Sequence, residues 1–337
     1  MWLLRNHTPY AAERNWIRDG RGVHWFVIAV RGTFTLGAGG RTSLADEQLP
    51  PILAPEHTGI PGESSLRYDS ELLEHKPGTD VVVLGCAYAP RGRPTASVPV
   101  ILRVGSLLEK QLVVYGSRAY YEGAVGLATT SPEPFVKQPI QYELAFGGRD
   151  TSDPDPRRHL LDERNPIGRG FPPRAARWKN ELAHCIEYPS GAAASRGPAG
   201  FGPIDRAWLP RRALAGTFDA KWVETKKPLL PDDYDPRYGM CAPADQQFST
   251  PLLGGEQIGL LNMTPDGTLV FELPKVSLRF STTIRGRRHE HRALLSTVVV
   301  EPDERRCFVS WQSTLKVGAP DVDFVSTTDI TEEGGRR

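Results

Sequence analysis

The sequence predicts a mainly β protein, with antiparallel sandwich-like or barrel-like sheets, long ordered Gly/Pro-rich loops and little helix. Three observations carry that expectation. Short runs rich in β-branched and aromatic residues recur along the chain. Turn-forming segments separate them at the spacing of a meander or sandwich. Glycine and proline together, 33 and 30 of 337 residues, well exceed the roughly 12% of average usage. So many committed backbone positions disfavour long helices.

The first clear element is residues 23–36 (VHWFVIAVRGTFTL), a long strand closed by the turn Gly37-Ala38-Gly39-Gly40. Strand-like runs follow at residues 80–88, 97–104 and 110–115. Residues 257–263 and 268–273 flank Pro265-Asp266-Gly267, where glycine can supply the positive φ that a tight hairpin needs. Residues 292–300 and 306–312 straddle Glu301-Pro302-Asp303-Glu304-Arg305 as a second hairpin. In it Cys307, Val309 and Trp311 alternate with Phe308, Ser310 and Gln312, so the first three should share one buried face.

Between these β-rich regions, residues 147–255 hold 26 of the glycines and prolines together with many aromatics, among them Phe171, Phe201, Trp208, Phe218, Trp222 and Tyr234. Disordered linkers are poor in aromatics. The segment therefore reads as a long ordered loop assembly wrapped on the scaffold, with one short helix near residues 178–186. Long ordered loops are where binding surfaces concentrate. The implied organisation is residues 1–146 as an N-terminal β region, 147–255 as the loop segment, 256–327 as a C-terminal hairpin region and 328–337 as a frayed tail, all of which can form one composite domain.

Charge and motif content narrow the function. With 41 Lys plus Arg against 40 Asp plus Glu, no global field exists to hold a polyanion, so nucleic acid is not an expected partner. The N-terminus turns polar at Arg5-Asn6-His7 and no later run has the length of a membrane span, so a cytoplasmic protein with no membrane partner is expected. Cys86, Cys185, Cys241 and Cys307 are widely separated, which fits reduced thiols.

No catalytic pattern stands out. His289-Glu290-His291 has two imidazoles on one side of a strand but no third ligand, and it follows the cations Arg285, Arg287 and Arg288. Asp232-Asp233-Tyr234-Asp235, flanked by Pro231 and Pro236, reads as an acidic turn, with a carbohydrate- or metal-binding hydrolase as the alternative. His184 and Cys185 are sequence neighbours, which does not orient one to activate the other. Neither GxGxxG, a P-loop, GxSxG nor HExxH occurs. The expectation is a non-enzyme without cofactor or metal.

Several short motifs follow in a distinctive order. They begin with Leu44-Ala45-Asp46-Glu47-Gln48, Lys76-Pro77-Gly78-Thr79-Asp80, Pro134-Phe135 and Ala145-Phe146-Gly147-Gly148. Asn165-Pro166-Ile167-Gly168-Arg169-Gly170-Phe171, Pro198-Ala199-Gly200-Phe201-Gly202-Pro203 and Trp208-Leu209-Pro210-Arg211 come next. Ala215-Gly216-Thr217-Phe218-Asp219 with Trp222, Leu230-Pro231-Asp232-Asp233-Tyr234-Asp235, Ala242-Pro243-Ala244-Asp245-Gln246 and Gly254-Gly255-Glu256 complete the series.

In this order the chain resembles the bacterial "domain of unknown function 2169" family, encoded beside type VI secretion genes, over about residues 20–300. It departs from the family pattern at Tyr234, often Phe, and at Ser117-Arg118-Ala119-Tyr120, where many members read Asp-Arg-x-Trp. The resemblance implies an adaptor or chaperone that binds a secreted effector, or the spike-tip repeat protein linked to it, and assists loading onto the spike protein. A secreted structural component of the spike is the alternative. Aromatic and arginine side chains dominate interface energetics, which makes Arg169, Phe171, Phe201, Trp208, Arg211, Trp222, Tyr234 and Asp235 the expected partner contacts. Arg169, Arg211 and Arg237 can alternatively anchor loops on carboxylates such as Asp232 or Asp235. The sequence does not set the oligomeric state.

Overall fold

A computed structural model describes residues 2–73, 76–124, 126–151, 153–171 and 181–333. Its principal strands in chain order are β1 (Leu3–Asn6), β2 (Ala11–Arg18), β3 (His24–Leu36), β4 (Thr42–Leu44), β5 (Thr79–Val83), β6 (Ser97–Val104), β7 (Leu108–Tyr115) and β8 (Ile186–Glu187). They continue with β9 (Gln247–Phe248), β10 (Gln257–Leu261), β11 (Thr268–Glu272), β12 (Leu278–Ile284), β13 (Arg287–Arg292), β14 (Leu294–Glu301), β15 (Arg306–Val317) and β16 (Val325–Glu332). The chain is mainly β, and its two α-helices among the described residues are single short turns, α1 (Ala193–Arg196) and α2 (Ala220–Thr225).

Three sheets organise the molecule. The largest runs β9-β5-β14-β15-β3-β2, with β4 added to β3; a five-stranded sheet runs β8-β7-β6-β10-β11; a smaller one runs β1-β16-β12-β13. None closes into a barrel among the described residues. Each sheet combines strands from both ends of the sequence, so β3 pairs with β15 from Arg306↔Thr35 to Val317↔His24, and β6 pairs with β10. The expectation of antiparallel sheets needs one amendment. β5 lies parallel to β14 and β1 lies parallel to β16, pairings that require the long crossovers this chain has.

The expected tail beginning at Thr328 is also corrected. Residues through Glu332 form β16, hydrogen-bonded between β1 and β12, with Thr328 and Ile330 fully buried. The alternation of small β-branched and polar residues there resembles a frayed end because its apolar share is low. Residues 334–337 lie outside the described ones. So do residues 178–180, but the helix expected near residues 178–186 is corrected by its described part: Glu181 to Ile186 is extended and bridges Ala119 and β7.

The large sheet and the five-stranded sheet pack face to face. Ile28, Val30, Val81, Val298, Val309 and Trp311 from the first meet Val100, Leu102, Leu112, Ile258 and Leu260 from the second in one apolar cluster. Cys307, Val309 and Trp311 do share this face. The other face of the large sheet is buried as well, and there the residues are mixed: Arg31, Asp80, Thr297, Ser310 and Gln312 stand beside Val82, Val299 and Phe308. A sheet face that is both polar and buried must find partners for its polar groups, and the loops that cover it supply them.

The small sheet is tied to the large one through His291 of β13. Its ring stacks on Phe280, with Nε2 at 2.8 Å from the Thr282 hydroxyl and Nδ1 at 2.7 Å from the hydroxyl of Ser313 on β15. Burial pushes the imidazole down to about 4, with Glu290 opposing and His289 reinforcing the shift.

This fixes a pH dependence. An unfolded histidine takes up its proton near 6.5, whereas the folded one resists it, so the stabilisation is complete above about pH 6.5 and is lost as pH falls toward 4. Urea denaturation should show wild type losing up to roughly 3 kcal/mol across that window from this group. His291→Gln should lack that component of the slope, and an identical slope in the two proteins would remove His291 as its source.

Candidate binding cleft

Three carboxylates beneath the loops set the local structure. Asp80, on β5 and fully buried, accepts from Lys76 Nζ at 2.7 Å and from the backbone N–H groups of Cys241 and Ala242 at 2.8 and 3.1 Å. Lys76 Nζ also donates to Thr297, and its backbone N–H to Gln312. Burial works against the Lys76 cation, but the Asp80 charge outweighs it and holds the ammonium firmly protonated. Glu71 accepts from Ser310 and from the Ile52 N–H, and it lies beside Arg31, whose guanidinium covers the Phe308 ring at 3.9 Å.

Asp69 is the third. It pairs with Arg211 and Arg206, and Arg211 also donates through Nε to the carbonyl of Tyr238 at 2.9 Å and through Nη1 to that of Ile204 at 2.7 Å. Burial alone would raise the Asp69 carboxyl, yet Arg211 and then Arg206 pull it below the ordinary carboxylate range. One arginine thus joins three separated stretches of loop to the scaffold.

Gln246 does the same between sheets. Fully buried, it donates to the carbonyls of Val81 and Phe201 and accepts from Lys110 Nζ at 2.8 Å. Lys110 projects from β7 and also reaches Asp245 at 2.9 Å. Glycines allow the close approaches. Gly147, at φ 148, would place a Cβ 2.2 Å from the Asn165 carbonyl, and Gly200 would drive one into the Tyr142 ring at 2.7 Å.

The loop segment so fixed encloses a cleft of about 520 Å³, all of whose lining residues fall between Arg164 and Gln247. Its apolar part includes Ile204, Leu209, Leu214 and Met240. Four arginines, Arg164, Arg196, Arg211 and Arg237, line it against one aspartate, Asp245. Arg164 and Arg237 are held by the same local device, a carboxylate two residues earlier. Asp162 and Asp235 each accept from the backbone N–H of that arginine and chelate its guanidinium. Asp235 is thereby the cap of a 3-10 turn, Pro236–Gly239, and Arg237 lowers its carboxyl.

The eight expected contact residues separate into two groups. Phe201, Trp208 and Arg211 are at most 4% exposed: the two rings fill the core, and Arg211, which lines the cleft, is bound to Asp69, not to Asp232 or Asp235. Arg169, Phe171, Trp222, Tyr234 and Asp235 are partly exposed. Arg169 pairs with Phe146 in a short parallel bridge and the Phe171 N–H donates to the Gly147 carbonyl, whereas Trp222 packs on Phe218, with Tyr234 against Tyr238. Arg237 anchors its loop on Asp235, one of the two roles the sequence left open to it.

Composition gave no sign of Tyr188 and Arg196 in the cleft, and only the Asp-x-Arg spacing at 162–164 and 235–237 could have indicated its other cations. The remaining clusters have local uses. Asp233 accepts from Thr217, and Asp232 pairs with Lys226. His184 turns to Glu187 and Tyr120 while the Cys185 thiol, pushed up by burial, faces the Ala183 carbonyl. Arg118, in the departing Ser-Arg-Ala-Tyr segment, donates to the His184 carbonyl and Glu187 and lies over the Tyr115 ring. Among the described residues no group of three or more His, Cys, Asp or Glu is placed to hold a metal ion, and no helix is long and apolar enough to cross a membrane.

Comparison with known sequences places the chain in a family. The model for "Uncharacterized protein conserved in bacteria (DUF2169)" matches residues 21–312, and the chain belongs to that family. No curated protein and no solved structure matches it.

Removing Asp69 leaves Arg211 buried without its counter-charge. Asp69→Ala should therefore cost about 3–5 kcal/mol in denaturant unfolding and speed limited proteolysis within residues 204–241. Asp232→Ala, whose carboxylate is largely exposed, should change neither reading. Equal effects of the two substitutions would contradict the assigned role of Asp69.

Proposed function

We propose that this chain is a binding protein without catalytic chemistry of its own, an adaptor or chaperone for type VI secretion that acts in the cytoplasm. Its cargo on this reading is a secreted effector, or the spike-tip repeat protein linked to it, held for loading onto the spike. The resemblance noted from the ordered motifs supplies the secretion setting. The observation that carries the reading is the cleft, because one loop segment builds the whole of it and buried ion pairs hold that segment in place. A preformed site limits the ordering cost of association, and clefts of this volume that set convergent polar groups beside an apolar wall are typical of recognition sites.

The ordered motifs support the same division of labour. Gln48 bonds both backbone groups of Thr33, Lys76 and Asp80 tie β5 to Cys241 and Ala242, and Asn165 donates to the carbonyls of Tyr142 and Phe146. These residues build the surface, which leaves its exposed positions to choose the partner.

The test is capture of a tagged copy from the native host under gentle lysis, with the bound proteins identified by mass spectrometry. An effector, tip or spike protein should be recovered, and Ala244→Trp, at an exposed cleft position, should reduce recovery at least severalfold while leaving the fold intact. Recovery of none of these by wild type would defeat the proposal. Finding the protein in culture supernatant with the spike would favour a secreted component instead.

A further inference from the structure

The cleft has an imbalance of charge that its own neighbours do not relieve. Arg164 is chelated by Asp162, Arg237 by Asp235 and Arg211 by Asp69. Asp245, the one carboxylate in the lining, pairs with Lys110. Arg196 differs from the rest. Among the described residues no carboxylate lies within ion-pairing distance of it, and its guanidinium instead covers the Tyr188 ring at 4.3 Å. The cation–π contact holds the guanidinium over the ring without using its N–H donors, and a guanidinium with free N–H groups is suited to bidentate recognition of a carboxylate.

We propose that the cleft takes an extended segment of a partner protein, seating an apolar side chain among Leu209, Leu214 and Met240 and a carboxylate on Arg196. This rests on the reading of the protein as a partner-binding adaptor and names what that partner offers. The choice of occupant follows from complementarity. One uncompensated cation beside an apolar wall matches a single carboxylate next to an apolar residue, whereas a polyanion would need a track of free cations. The carboxylate can come from an Asp or Glu side group or from the partner's own C-terminus, and the experiment separates the two.

Short random peptides are displayed in two libraries, one ending in a free carboxylate and one with both ends embedded in a carrier, and each is selected on the full-length protein. Selected peptides are then synthesised and their affinities measured by fluorescence anisotropy. They should carry a carboxylate near an apolar residue, and Arg196→Gln should weaken them about tenfold or more, as expected for a charge-assisted pair. Arg196→Lys should retain part of the affinity. Neutralising the peptide carboxylate should cost little further in Arg196→Gln. Enrichment confined to the free-end library identifies a C-terminus, and enrichment in both identifies an Asp or Glu.

Absence of binders, binders without a carboxylate, or equal affinity for Arg196→Gln would each overturn the proposal. Capture of the native partner separates this failure from that of the adaptor reading. If Ala244→Trp abolishes capture and Arg196→Gln does not alter it, the carboxylate assignment fails and the adaptor reading stands.

Discussion

The loop-covered face of the large sheet depends on Asp80 and the polar plate around it. A carboxylate without exposed surface on a central strand would be prohibitive alone, since the effective cost of burying an ion is several kcal/mol. Lys76 and two backbone N–H groups offset that cost, and in doing so they bring together two loops far apart in sequence, at 76 and at 241–242. Apolar residues of similar volume would cover the sheet with comparable stability, but they would not specify which loop atom meets which strand atom. Ion pairs and hydrogen bonds have that directionality. Their use here fits a surface whose shape matters more than its depth of burial.

The same logic recurs at successive levels above the sheet. Glu71 and Lys76 fasten the first loop layer to β3, β14 and β15, and Asp69, itself in that layer, fastens Arg211 of the second. Gln246 then links the second layer to both packed sheets. A loop of more than 100 residues with little secondary structure would ordinarily be mobile. Tied in this order its described residues are an extension of the scaffold, and the cleft they line is part of a continuous bonded structure.

Much of the β framework is legible in the sequence because alternation is a local signal: residues 23–36, 97–104 and the two C-terminal hairpins are readable from their own side chains and turns. The second buried face is not. Ser310 and Gln312 alternate with Val309 and Trp311 as solvent-facing residues do, and only the covering loop makes them interior. That long-range fact also explains why Phe201, Trp208 and Arg211 read as contacts. Aromatics and arginine in a loop suggest an interface, yet here the interface is internal, with the protein's own sheet and Asp69 as the partner. Arg196 and Tyr188 carry no motif, and their pairing arises only from the fold.

Amide hydrogen exchange on the free full-length protein tests most directly whether the loop segment is a fixed part of the scaffold. The backbone N–H groups of Cys241 and Ala242, which donate to Asp80, and of Ile204, which donates to the Cys241 carbonyl, should exchange as slowly as those of the central strands β3 and β15. Exchange at the rate of an unstructured polypeptide at these three positions would contradict the account, since the cleft would then form only on binding.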